Sequence, residues 1–117
     1  MEYRAYRMRL KKERVRDYAD VHRKEKIWDS VVDGLKKAGF TRMLILQQEQ
    51  DIILFEAAQN LKQAYDYLSK DAESARWDKM ISDWMELYPQ YNAIRGDIEF
   101  EEVPVVFYYE NGTLLHS

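Results

Sequence analysis

Three observations on this 117-residue sequence predict an α+β fold. Alternating and helical stretches follow one another in the order β, α, β, β, α, β. Tyr, Phe, Leu and Ile alternate with polar residues through the strands, which gives each strand one apolar face. The helical stretches close at recognisable stops, the Ala38-Gly39 pair and Pro89. That order is the ferredoxin-like split βαβ arrangement, a four-stranded antiparallel sheet with helices on one face. The other face has no helix cover and must bury itself on a ligand, a partner subunit or both, so a homodimer packing sheet to sheet is expected. The length fits a single domain over 1–117, with 110–117 as a C-terminal tail.

The first strand is read at 3–10, with Tyr3, Ala5 and Arg7 on one side and Arg4, Tyr6, Met8 and Leu10 largely on the other. A polar helical stretch follows, in which Val15, Tyr18, Ala19 and His22 recur at spacings of 3, 4 and 7. The charged junction at 23–26 is a bend, which puts His22 at a helix end. Ile27, Val31, Val32 and Leu35 carry a second amphipathic helix to Gly39. Two β-rich runs, 41–47 and 52–57, are joined by the polar turn Gln48-Glu49-Gln50-Asp51 and read as a hairpin. Asn60 is the expected N-cap of a helix over 61–68. Residues 69–71 interrupt it, and a further helix carries Ala75, Trp77, Met80, Ile81, Trp84, Met85 and Leu87 before Pro89. Residues 90–98 read as irregular. A last long strand is expected over 99–109, at a sheet edge or bulged because Pro104 lies inside it. In the tail, Asn111-Gly112 is a turn signal.

Composition narrows the function. The chain is 46% hydrophobic and 33% charged, which is globular usage. No apolar run approaches the roughly 20 residues of a membrane helix. The first residues carry charges where a signal peptide would be apolar, so a cytoplasmic setting is expected. With no cysteine there is neither a disulfide framework nor a thiolate nucleophile. A net charge of −3 argues against nucleic acid, and the basic cluster from Arg4 to Arg16 reads as a solvated strand face and helix start. No His, Asp or Glu spacing suggests a metal site, and the scattered glycines form no phosphate loop.

His22 is the first candidate for proton transfer near neutral pH, since the other histidine, His116, lies in the tail. Tyr18 is one turn before it on the same helical face. A lone helical histidine is more often a surface or core residue, and tryptophans seven apart, such as Trp77 and Trp84, have core spacing. Trp77 is favoured as ligand-facing, whereas Trp28 and Trp84 are left in the core. Asp78 is a candidate hydrogen-bonding group for a pocket, although a solvated helix position is its ordinary setting. Glu56, Glu99, Glu101 and Glu102 are possible carboxylate partners, but acids on strands usually face solvent.

Tyr18-x-x-x-His22, the tryptophan soon after it, the helix ending in Ala38-Gly39, the hairpin MLILQQEQDIILFEA, Arg76-Trp77 with Met80, and the closing VVFYY together resemble the L-rhamnose mutarotase family over about residues 3–109. The succession carries the resemblance, since no single motif in it is a strong signature. It implies a dimeric α+β barrel that interconverts the α and β anomers of a rhamnose- or fucose-like deoxy sugar without metal or cofactor. Carried over by position, it implies His22 as general acid, Tyr18 as a hydroxyl that donates to or orients the sugar, and Trp77 as a stacking platform. Where the family carries strand tyrosines this chain has Met43 and Leu46, and Asp78 stands where the family has a second tryptophan. The alternatives are a non-catalytic ligand-binding or dimerisation module on the same fold, or a cofactor-free or haem-associated monooxygenase.

Overall fold

The computed structural model describes residues 1–92 and 97–116. Strand β1 (Glu2–Leu10) runs through the middle of an antiparallel sheet. On one side it pairs along nearly its whole length with β3 (Asp51–Ala58), and β3 pairs with β2 (Phe40–Gln48). The β2–β3 hairpin turns at Glu49 and Gln50, with Glu49 in the left-handed region at φ 53°. On its other side β1 meets two short segments, β4 (Met85–Leu87) against Arg9 and Leu10, and β7 (Glu101–Glu102) against Tyr6 and Arg7.

Two helices, α1 (Val15–Val21) and α2 (Asp29–Ala38), separate β1 from β2, and two more, α3 (Leu61–Lys70) and α4 (Ala72–Asp83), follow β3. Tyr6, Met8 and Leu10 of β1 and Ile52 and Leu54 of β3 form one buried face, on which Tyr18 of α1 and Ile81 of α4 pack. The period-2 alternation of the strands produced that face. Asn60 caps α3 by accepting from the Gln63 N–H at 2.9 Å, and Gly39 ends α2 at φ 100°. The fold is therefore the expected α+β, split βαβ arrangement, with its four helices on one sheet face.

Three expectations need correction. The last helix was expected to run through Leu87, but it stops at Asp83, and Met85 enters the sheet opposite Leu10. Apolar periodicity cannot distinguish a final helical turn from a buried strand of three residues. The long last strand is broken: β7 ends at Glu102, Val103 donates to the Ala5 carbonyl at 2.9 Å, and Pro104 has no N–H to continue the ladder. Within the stretch read as irregular, β5 (Gln90–Asn92) and β6 (Asp97–Glu99) form a two-stranded ladder, and 93–96 lie outside the described residues.

The tail folds back. Asn111 and Gly112, at φ 49° and 81°, turn a small hairpin between β8 (Tyr109–Glu110) and β9 (Thr113–Leu114). It lies on the sheet face opposite the helices. There Tyr108 sets its ring edge-on to Tyr3 and Phe55, and Tyr3 donates its hydroxyl to the Leu115 carbonyl at 2.9 Å. Arg42 pairs with Glu110. His116 accepts from the Tyr108 N–H at 3.0 Å, so it ties down this segment.

Candidate functional site

A cavity of about 540 Å³ opens between the helices and the sheet. Its floor is the apolar strand face, with Tyr6, Met8, Met43, Ile45 and Leu54. Its walls come from α1, α2, α3 and α4 and from Tyr88 and Pro89 after β4. Tyr18, His22, Trp77 and Asp78 all line it, so the four candidate residues meet in one place.

His22 is the C-terminal cap residue of α1, one residue beyond its last turn. Its Nδ1 lies 2.6 Å from the Tyr18 carbonyl oxygen. A carbonyl only accepts, so Nδ1 carries the proton and the neutral ring keeps Nε2 as a base. The imidazole is held between two rings, with Tyr18 at 4.4 Å and Trp77 edge-on at 5.3 Å between centroids. Burial holds its pKa below the ordinary imidazole value, against the opposing pull of the Tyr18 carbonyl, so the ring is neutral at neutral pH. Burial also raises the Tyr18 phenol, and no acceptor takes its proton among the described residues.

Trp28 is half-buried and supports the site from behind. Its ring stands edge-on to Trp77 at 5.1 Å, and the Arg76 guanidinium lies over it at 4.6 Å. Trp84 packs against the core with Arg14 above it at 5.2 Å, and Trp77 packs against the same core while also lining the cavity. Asp78 accepts a hydrogen bond from the Tyr88 hydroxyl. Burial raises its carboxyl above the usual range, and the Tyr88 bond offsets part of that. Of the two strand positions that depart from the family, only Met43 reaches the cavity. Leu46 lies on the opposite face and is 57% exposed.

Glu56 overturns the solvent-facing expectation for strand acids, since it is 0% exposed. Arg4 donates Nε to it at 2.7 Å, and the Tyr65 hydroxyl donates to its other oxygen. Burial raises this carboxyl, and the Tyr65 and Arg4 contacts oppose the rise. The Tyr6 and Tyr65 hydroxyls are 3.2 Å apart. With the Tyr65 proton on Glu56, Tyr6 is the donor of that pair, so a directed chain runs from Tyr6 through Tyr65 to Glu56. Tyr6 and Tyr65, which sequence spacing does not mark as site residues, line the cavity together with Tyr88. The alternation did hold part of the signal, because Glu56 shares its parity with Ile52 and Leu54. Glu101 behaved as expected, exposed and paired with Arg7 at 3.1 Å. Among the described residues, no three His, Cys, Asp or Glu side chains converge to hold a metal ion.

The solved structure of an L-rhamnose mutarotase from Formosa agariphila is similar at 20% identity and a TM-score of 0.66, covering 94% of this chain and all of that one. A candidate antibiotic biosynthesis monooxygenase from Nitrosomonas europaea shares 19% identity at a TM-score of 0.55, over 74% of this chain and 80% of its own. At such identities both likenesses speak for the fold alone. No curated protein matches the sequence. The sequence model of the L-rhamnose mutarotase family matches residues 4–109, nearly the whole chain, and the protein belongs to that family.

Proposed function

We propose that the protein is a mutarotase for a monosaccharide of the deoxy-sugar type, working by acid–base catalysis at His22. The observation that carries this reading is the fixed tautomer: Nδ1 is held on the Tyr18 carbonyl, and the ring lines the cavity between Tyr18 and Trp77. Mutarotation asks for a base at the anomeric hydroxyl and a donor at the ring oxygen. His22 Nε2 takes the proton from the anomeric hydroxyl, and the Tyr18 hydroxyl donates to the ring oxygen. The C1–O5 bond then breaks to give the open-chain aldehyde. Rotation about C1–C2 presents the other carbonyl face, and closure returns both protons. The resemblance had implied His22 as the acid; its tautomer and lowered pKa favour the base. Trp77 offers an aromatic surface to the apolar face of the sugar. The setting proposed is cytoplasmic, and the functional unit is a homodimer joined through the open sheet face. No helix among the described residues is long and apolar enough to cross a membrane.

The test is NMR exchange between anomeric protons in a panel of aldoses, with and without protein. The wild type is expected to accelerate exchange saturably, and His22→Ala to lose about a hundredfold or more. An unchanged rate in His22→Ala would sink the assignment of the base. No acceleration by the wild type for any sugar would sink the enzyme and leave a binding module.

A further inference from the structure

The polar hydrogens around the cavity are almost all committed elsewhere. Tyr88 donates to Asp78, and Tyr6 donates to Tyr65, which donates to Glu56. The three lining serines are spent as well: Ser69 donates to the Asp66 carbonyl at 2.7 Å, Ser74 to the Asp71 carboxylate at 2.7 Å, and Ser82 to the Lys79 carbonyl at 2.9 Å. His22 spends its only proton on the Tyr18 carbonyl. What these side chains have left to offer is therefore mainly lone pairs: His22 Nε2, the Tyr6 and Tyr88 oxygens, and the free oxygen of Asp78. Tyr18 and the Trp77 indole are the donors that remain. Lys79, at the rim, extends into solvent with its side chain 80% exposed and lies 3.9 Å from Asp83.

The two carboxyl groups behind these tyrosines differ. Glu56 has Arg4 at 2.7 Å as its counter-charge. Asp78 has only the Tyr88 hydroxyl among the described residues, so its charge is left to act on whatever occupies the cavity. We infer that the site selects sugars whose substituents donate hydrogen bonds, neutral or amine-bearing aldoses, and rejects sugar acids and sugar phosphates, with Asp78 and Tyr88 as the residues that set this polarity. A carboxylate or phosphate on the ligand would meet those lone pairs and the Asp78 charge, with only the Tyr18 hydroxyl, already given to the ring oxygen, and the Trp77 indole left to donate to it. The inference rests on the mutarotase reading. Asp78 acts by its own charge and free oxygen, and through the Tyr88 hydroxyl that it holds.

The test measures anomer exchange and sugar line broadening for a neutral 6-deoxyhexose, a 2-amino-2-deoxyhexose, a hexuronate and a hexose 6-phosphate. The wild type is expected to act on the first two at least about tenfold better than on the two anions, the worth of one charged hydrogen bond gained or refused. Tyr88→Phe keeps the ring and removes an acceptor, so KM for the neutral sugar rises about tenfold with kcat little changed. Asp78→Asn removes the charge and lets the amide donate to Tyr88, freeing that hydroxyl to donate into the cavity. The ratio of neutral sugar to hexuronate is then expected to narrow severalfold at an unchanged melting temperature, which a merely structural role for Asp78 would not produce. A wild type that handles the hexuronate as well as the neutral sugar overturns the proposed class and leaves the mutarotase standing. An Asp78→Asn protein with an unaltered ratio overturns the assignment to Asp78. A wild type inert to all four sugars removes the mutarotase reading, and this inference with it.

Discussion

His22 and Glu56 are both titratable and both moved by burial, with opposite consequences. The folded-state pKa of His22 lies below its unfolded value of 6.5, so protonation favours the unfolded chain. Its contribution to stability is full above that pH and declines as pH falls through 6.5 toward the lowered value. Catalysis by Nε2 follows the same sign: the exchange rate is expected to be flat across neutrality and to drop only on the acid side, below the ordinary imidazole pKa. An acid limb that rises toward low pH in a pH–rate profile would contradict the base assignment. At Glu56, Glu56→Gln leaves the Arg4 guanidinium without its carboxylate in a setting where Arg4 is only 16% exposed. A loss of about 3 kcal/mol is expected in urea denaturation, and Arg4→Met with Glu56→Leu is expected to recover most of it, because the pair is costly chiefly when broken. Legibility at this scale followed local geometry. Tyr18 and His22 were readable because helical spacing fixes neighbours four apart. Tyr65 and Tyr88 were not, because their meeting with Glu56 and Asp78 depends on how α3 and β4 are placed against the sheet, which no spacing encodes.

The helix pair that closes the cavity depends on one small residue. A Cβ at Gly34 of α2 would stand 2.7 Å from Ser74 Oγ of α4, and that hydroxyl is held by Asp71. Gly34→Ala is therefore expected to push α2 from α4 and cost about 1–3 kcal/mol. Adding Ser74→Ala removes the obstructing oxygen and is expected to restore most of it, as thermal unfolding of the single and double variants would show. If the single variant is as stable as the wild type, the close approach of α2 to α4 is not a constraint. The elements themselves were legible where their signals were local: β1, the β2–β3 hairpin, the Asn60 cap and the Gly39 stop all fall where side-chain pattern and turn chemistry place them. The sheet edge was not. Trp84, Met85 and Leu87 continue a helical pattern, yet Met85 goes to Leu10 because β1 still has an open ladder there, and tertiary pairing overrides the last turn. The long strand read over 99–109 is broken, with β7 ending at Glu102, and Pro104, read as marking an edge or a bulge, lies outside any strand.

For the whole molecule, the two sheet faces divide the work. The helix face encloses the cavity, and its polar wall is built from one chain, with Tyr6 of β1, Tyr18 and His22 at α1, Trp77 and Asp78 of α4, and Tyr88 beyond β4. The other face is only partly covered by the C-terminal hairpin. Leu44 and Leu46 of β2 are 53% and 57% exposed, and Val106, Phe107, Tyr109 and Leu114 of the C-terminal segment are 82%, 66%, 61% and 58% exposed. Apolar surface of this kind, gathered on one face, is what a second subunit would remove from water. The proposed homodimer places that face at its centre, so a charge introduced there must be buried unpaired in the dimer and solvated in the monomer, a difference of several kcal/mol. Leu46→Glu is expected to convert a dimeric wild type to a monomer in analytical ultracentrifugation, with the helical and strand signals of circular dichroism retained. Because Leu46 lies on the face opposite the cavity, each such monomer is expected to keep anomer exchange near the wild-type rate per chain. A variant that stays dimeric places the interface elsewhere on the molecule, whereas one that becomes monomeric and loses exchange shows that the partner subunit completes the site.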